Sequence, residues 1–204
     1  MQNSANVSLS AFEKQLVLNA DFILTKNTII HKVYQLFGEV SRGYQTNSLL
    51  QSLPEEIVVQ SPKIARGENY EGLPYVMLDY PRCFGKEDVF AIRTFFWWGH
   101  FFSCTIQLKG KYKNLFQTAL TQNIKSGMMD GLAINRTDEE WMHHLNDDYV
   151  QIINSDSEIN LNAKTLIKIS SKHSLNDWDL AGEFLLNSFN RYLELLQSTS
   201  NTMK

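Results

Sequence analysis

The chain has 204 residues, 22 acidic against 19 basic side chains, a net charge of −3, and 43% hydrophobic with 20% charged residues. This composition excludes a disordered chain, and a core at this length buries roughly 70% of the unfolded surface, so folding needs neither disulfides nor a structural metal. No apolar run reaches the ~18 residues of a membrane span, and the first ten residues show no secretory leader. Cys83 and Cys104 form no C-x-x-C pair, so a reducing, cytoplasmic location is expected, with one domain over 1–204 and flexible ends at 1–8 and 198–204.

From the N-terminus, Ser10 and Glu13 make a capping-box pattern, and Phe12, Leu16, Ala20 and Ile23 follow at helical spacing, predicting a first helix with one inward face. A second helix is expected from Lys26 to Arg42, with Ile29, Ile30, Val33, Leu36, Phe37 and Val40 as its stripe and Gly43 as its stop. From Ser52 to Pro74 the pattern breaks at Pro54, Pro62, Gly67, Gly72 and Pro74. This reads as a long loop, 52–74, regular only over Glu56 to Val59, with Glu68, Asn69 and Tyr70 as a candidate flap.

Tyr75 to Tyr80, Val89 to Phe96 and His100 to Lys109 are predicted strands. The last two form an aromatic-rich hairpin. A three-residue loop of Trp97, Trp98 and Gly99 pairs Phe96 with His100, Thr94 with Phe102, Ile92 with Cys104 and Phe90 with Ile106. That register leaves one face almost wholly apolar, whereas a one-residue slip mixes both faces. The other face carries Val89, Ala91, Arg93 and Phe95 with Phe101, Ser103, Thr105 and Gln107. Beyond a basic turn, Asn114 to Ser126 is a helix with Leu115, Ala119, Leu120 and Ile124 inward. Thr137 with Glu140 opens a short helix through Asp147, buried at Trp141 and Leu145. Strands follow at Tyr149 to Ile153 and Thr165 to Ser171, then a long C-terminal helix from Asp177 to Gln197. The expected class is α+β: an antiparallel sheet of about five strands, helices mainly on one face, an N-terminal helical pair and a long C-terminal helix.

Chemistry concentrates on the mixed face of the hairpin. A guanidinium in mid-strand must find an anion, and Asp79 lands on the same face if the first strand pairs with the second. Arg93 then either pairs with Asp79 or, with Arg82, receives a carboxylate or phosphate beside Ser103, Thr105, Trp97 and His100. In a helix, His143 with Asp147 and His144 with Asp148 are i, i+4 neighbours able to share a proton, but no third ligand or H-E-x-x-H pattern supports a metal. Cys104, on the apolar face, has a raised pKa; Cys83, beside Arg82, has the better surroundings for a thiolate. No motif for a nucleotide, flavin or haem is present, so no cofactor is expected. Acidic net charge and the missing RNA-recognition signature argue against nucleic acid.

The expected function is a binding or accessory protein with a site for an anionic small molecule or a protein partner near the central hairpin. One alternative is a hydrolase or transferase using His100 or the His143/His144/Asp147/Asp148 helix. The other is an interaction module inserting Trp97 and Trp98 into a partner. A membrane role is not expected, and homodimerisation rests only on the frequency of symmetric pairs.

Overall fold

The computed structural model describes residues 7–197; the predicted flexible ends lie mostly outside them. Helix α1, Ala11–Val17, starts on the predicted capping box, with Ser10 Oγ accepting from Glu13 N–H and Glu13 returning the bond to Ser10 N–H. It stops six residues before Ile23, the last residue of the predicted apolar face, and none of its own residues is buried. Asn19 accepts from Phe22 N–H and caps a new helix, α2, Ala20–Gln45. Ile30, Val33, Phe37, Val40 and Tyr44 are its buried stripe, spaced three and four apart. Gly43 does not end α2. It lets the helix pass close to its neighbour, because a Cβ there would stand 2.6 Å from a Leu186 methyl.

The predicted 52–74 loop is mostly structured. A short 3-10 turn, Ser48–Ser52, precedes helix α3, Glu55–Val58, and strand β1, Lys63–Tyr70. Strand β1 is polar because it is the edge of the sheet and neither of its faces is fully covered. β2, Leu73–Phe84, continues through Pro81 with a bulge between Asp79 and Arg82, and β3, Val89–Trp97, and β4, Phe101–Lys109, form the hairpin. The chain goes on through α4, Lys111–Lys125; β5, Ala133–Asn135; β6, Val150–Ile152; β7, Leu166–Ser174; and α5, Ala181–Leu195. The seven strands lie in the order β1-β2-β3-β4-β7-β5-β6, every neighbour antiparallel, so the sheet is larger than the five strands expected.

The hairpin loop is Trp98 to His100, one residue later than predicted, with Gly99 at φ +74° in its centre. Phe96 therefore pairs with Phe102, Thr94 with Cys104, Ile92 with Ile106 and Phe90 with Leu108. Because each partner moves by two residues, the predicted faces survive. Trp97, stacked on His100 at 3.6 Å between ring centres, is held within the ladder rather than in the loop.

Apolar side chains of β2, β3, β4 and β7, including Leu78, Phe96, Ile106 and Ile169, join α2, α4 and α5 in one continuous core. Tyr44 stacks on Phe189 at 3.8 Å, and its hydroxyl bonds Thr94 Oγ1 at 2.9 Å; Tyr192 donates to the Cys104 carbonyl at 2.8 Å. These bonds tie α2 and α5 to the sheet at defined positions. The helices thus cover one face, as expected, but α4 is rotated from its predicted setting: Phe116 is buried and Leu115 exposed.

The predicted helix from Thr137 to Asp147 is absent, which removes the i, i+4 pairing of His143 with Asp147 and of His144 with Asp148. Tertiary partners take the backbone groups a helix would use. Lys168 Nζ donates to the carbonyls of Glu140 (3.2 Å) and Met142, and the Tyr70 hydroxyl accepts from His143 N–H at 2.7 Å. Trp141, predicted buried, is exposed.

The setting of α4 is checked by paired truncations. We predict that Phe116→Ala costs about 3 kcal/mol in urea unfolding, whereas Leu115→Ala stays within about 0.5 kcal/mol. Equal costs would contradict the orientation described.

Candidate functional site

Alternation along the strands sends every second side chain to the face opposite the helices. Pairing there produces an in-register polar row: Lys63 opposite Asp79, Asp79 opposite Arg93, Arg93 opposite Thr105, and Thr105 opposite Ser170. Asp79 and Arg93 form a two-pronged ion pair, Nε to Oδ1 at 2.7 Å and Nη2 to Oδ2 at 2.9 Å, with each side chain only 7% exposed. Thr105 and Ser170 share a hydroxyl hydrogen bond of 2.8 Å. Ser103 is also buried on this face, two residues before Thr105 in β4.

Residues 136–149 lie across this face as an irregular cover. Arg93 Nη1 approaches His143 Nε2 at 3.2 Å. A guanidinium only donates, so Nε2 accepts and the ring proton belongs on Nδ1. Burial, then the charges of Arg93 and Lys168 and the adjacent His144, hold the His143 pKa well below the ordinary histidine value. Burial, then Arg93, brings Lys168 down to about 8 against the opposing pull of Glu140. Lys109 pairs with Glu140, fixing the cover from a third direction.

Two cavities flank this arrangement. The larger, about 380 Å³, is lined by Lys63, Asp79, Arg82, Phe84, Arg93, Gln107, Glu140 and Trp141. It falls in the size range of small-molecule sites. The Arg93 guanidinium carbon lies 6.0 Å from the Phe84 ring centre and 5.9 Å from that of Trp141. The smaller cavity, about 20 Å³, lies under residues 142–150 and is lined by Thr105, His143, His144, Lys168 and Ser170. It has room for about one water.

Charge around the larger cavity does not cancel locally. Asp79 is matched by Arg93 and Glu140 by Lys109. Arg82 spends its Nε on the Ser61 carbonyl at 3.2 Å, and among the described residues neither Arg82 nor Lys63 has an acidic partner within 4 Å. Such an opening is suited to a carboxylate or phosphate, with exposed aromatic rings beside it.

The other candidates are distributed differently. Trp97 is buried among Tyr70, His100, Phe101 and His144, and Trp98 is half-buried against the core, whereas insertion into a partner requires exposed rings. His100 is exposed at the hairpin tip, away from both cavities. His144 Nε2 lies 3.4 Å from Glu71, and no group of three metal-ligating side chains occurs among the described residues. Burial pushes the Cys104 thiol up to about 12, and Cys83 accepts a hydrogen bond from Tyr112.

Sequence reasoning missed Lys63, Phe84, Glu140, Trp141 and Lys168 as contributors. For Lys168 a signal existed, since Ile167 and Ile169 flank it in a strand and alternation sends it to the opposite face. Comparison with protein-family models, curated proteins and solved structures returned no match.

Removing one partner of the buried pair leaves the other uncompensated. We predict a loss of about 3–5 kcal/mol for Asp79→Asn, and near-neutral stability for Asp79→Leu combined with Arg93→Met, by chemical denaturation. A double variant as unstable as the single would contradict the pair's role. For His143, the folded chain binds fewer protons than the unfolded chain below pH 6.5, so stability falls as pH drops through that region. The melting temperature is expected to fall between pH 7 and 5, and His143→Gln should remove that part of its acid dependence.

Proposed function

We propose that this chain is a cytoplasmic binding or accessory protein that holds a small organic anion in the cavity between Arg82, Lys63 and Trp141. The observation carrying this reading is the combination of two locally unmatched cations with exposed rings around about 380 Å³. The anion meets Arg82 and Lys63, while its flat or apolar body lies against Trp141 and Phe84. Arg93 serves as scaffold: its charge is spent on Asp79, and it keeps the cavity floor rigid. No helix among the described residues is long and apolar enough to cross a membrane, which is compatible with this role.

The enzymatic alternative has weaker support. Perturbed groups mark functional clefts, and His143 and Lys168 are perturbed. They line the one-water cavity rather than the larger one, and a volume of about 20 Å³ leaves no room beside them for a substrate in this arrangement.

A thermal-shift screen against aromatic and aliphatic carboxylates and phosphates tests the reading, because a ligand at 100 times its Kd adds about 2.7 kcal/mol of stability. We expect aromatic acids to raise the melting temperature most. Arg82→Ala and Trp141→Ala should each weaken that ligand about tenfold or more. A shift unchanged in both variants, or no shift with any anion, would sink the proposal.

A further inference from the structure

The N-terminal helices carry apolar side chains with no core beneath them. Helix α1 has no buried residue, although its capping box is complete. Phe12 is 66%, Val17 71% and Leu18 84% exposed, and Phe22, Ile23 and Leu24 at the start of α2 are also exposed. A free large side chain presents roughly 150–200 Å², so the exposed apolar side chains of residues 7–24 amount to on the order of 800 Å². These side chains point to more than one side of α1, so this area is the most the segment could contribute, against the ~800 Å² each partner supplies in a standard specific interface.

The chain outside the described residues is poorly suited to cover this surface: residues 1–6 and 198–204 hold only Met1, Ala5 and Met203 as apolar side chains. A lipid surface is also poorly matched. Glu13, Lys14, Asp21 and Lys26 sum to zero, whereas interfacial helices carry a cationic polar face. The charge pattern is instead complementary to itself. If α1 of each copy lies antiparallel against the first turns of α2 of the other, with the Leu18–Asn19 junction near the two-fold axis, Lys14 on α1 meets the helix that carries Asp21. Among the described residues Lys14 and Asp21 have no ion-pair partner within 4 Å.

We infer that α1 and the first turns of α2 are the contact through which two copies of this chain associate about a two-fold axis. The two most exposed helix-end residues, Val17 and Leu18, then occupy the centre of the contact, and the charged residues its rim.

Sedimentation of the full chain from about 1 to 100 μM tests this, since any useful dimer affinity falls near that range. The expected species has twice the 23.5 kDa chain mass. Val17→Glu with Leu18→Glu should yield monomer with an unchanged far-ultraviolet spectrum, because both side chains are exposed. Lys14→Glu should weaken the dimer about fivefold, and adding Asp21→Lys should restore it by swapping the signs. A monomer at every concentration overturns the inference, as does a dimer indifferent to the double glutamate variant. Wild-type monomer that floats with phosphatidylcholine vesicles, with binding lost in that variant, would assign the surface to lipid and also overturn it.

Discussion

The Asp79–Arg93 pair sets the terms for half of the molecule. Two charges at the centre of a sheet face cannot remain there without satisfying their remaining hydrogen-bonding capacity, and in a low-dielectric setting the alternative is several kcal/mol of uncompensated desolvation. Asp79 meets this by lying opposite Arg93 across β2 and β3, and Arg93 by turning its third nitrogen to His143. That last contact needs a segment passing over the sheet. Residues 136–149 supply that segment, and the neutral state of His143 suits its place, because protonation would set a third cation beside Arg93 and Lys168.

The two faces of the sheet consequently use different physics. On one, α2, α4 and α5 bury an apolar layer whose polar exceptions, Thr94 and the Cys104 carbonyl, receive tyrosine hydroxyls from the helices. Non-directional burial dominates there. On the other, directional bonds link strand, edge and cover: Tyr70 to the backbone of His143, Lys168 to Met142, Lys109 to Glu140. Such a layer closes imperfectly over side chains of unequal length, and space remains beside Arg93 under Trp141. A site on this face comes with its polar groups already oriented, which reduces the ordering cost of binding.

Much of the first face was legible in the residue pattern. Alternation along β3 and β4 separated Arg93 from Ile92 and Thr94 although the loop was misplaced by one residue, because parity survives a shift of each partner by two. The same logic put Asp79 on the face of Arg93, given pairing of the first two strands, and the register sets the two directly opposite. What stayed hidden depends on tertiary partners. Lys63–Tyr70 is a strand without strand composition, since an edge needs no apolar alternation. Thr137 to Asp147 has a helix-start pattern, yet Lys168 and Tyr70 take its backbone groups from outside the segment. Trp141 was therefore assigned to an interior, and its position over Arg93 could not be anticipated. The three-residue strand β5 is too short to leave a periodic signature.

The sheet's two borders carry a consequence for assembly of a different kind. Open strand borders are templates for uncontrolled pairing between chains. Here the outer border at β1 bears Lys63, Arg66 and Glu68 and loses register between Gly67 and Tyr70, while the opposite border, β6, is only three residues long. Charge and irregularity discourage a foreign strand on one side, and brevity does so on the other. Among the described residues the sheet ends at seven strands, and both borders disfavour its growth through further strand pairing, which sets the aromatic-rich centre behind the least hydrophobic strands.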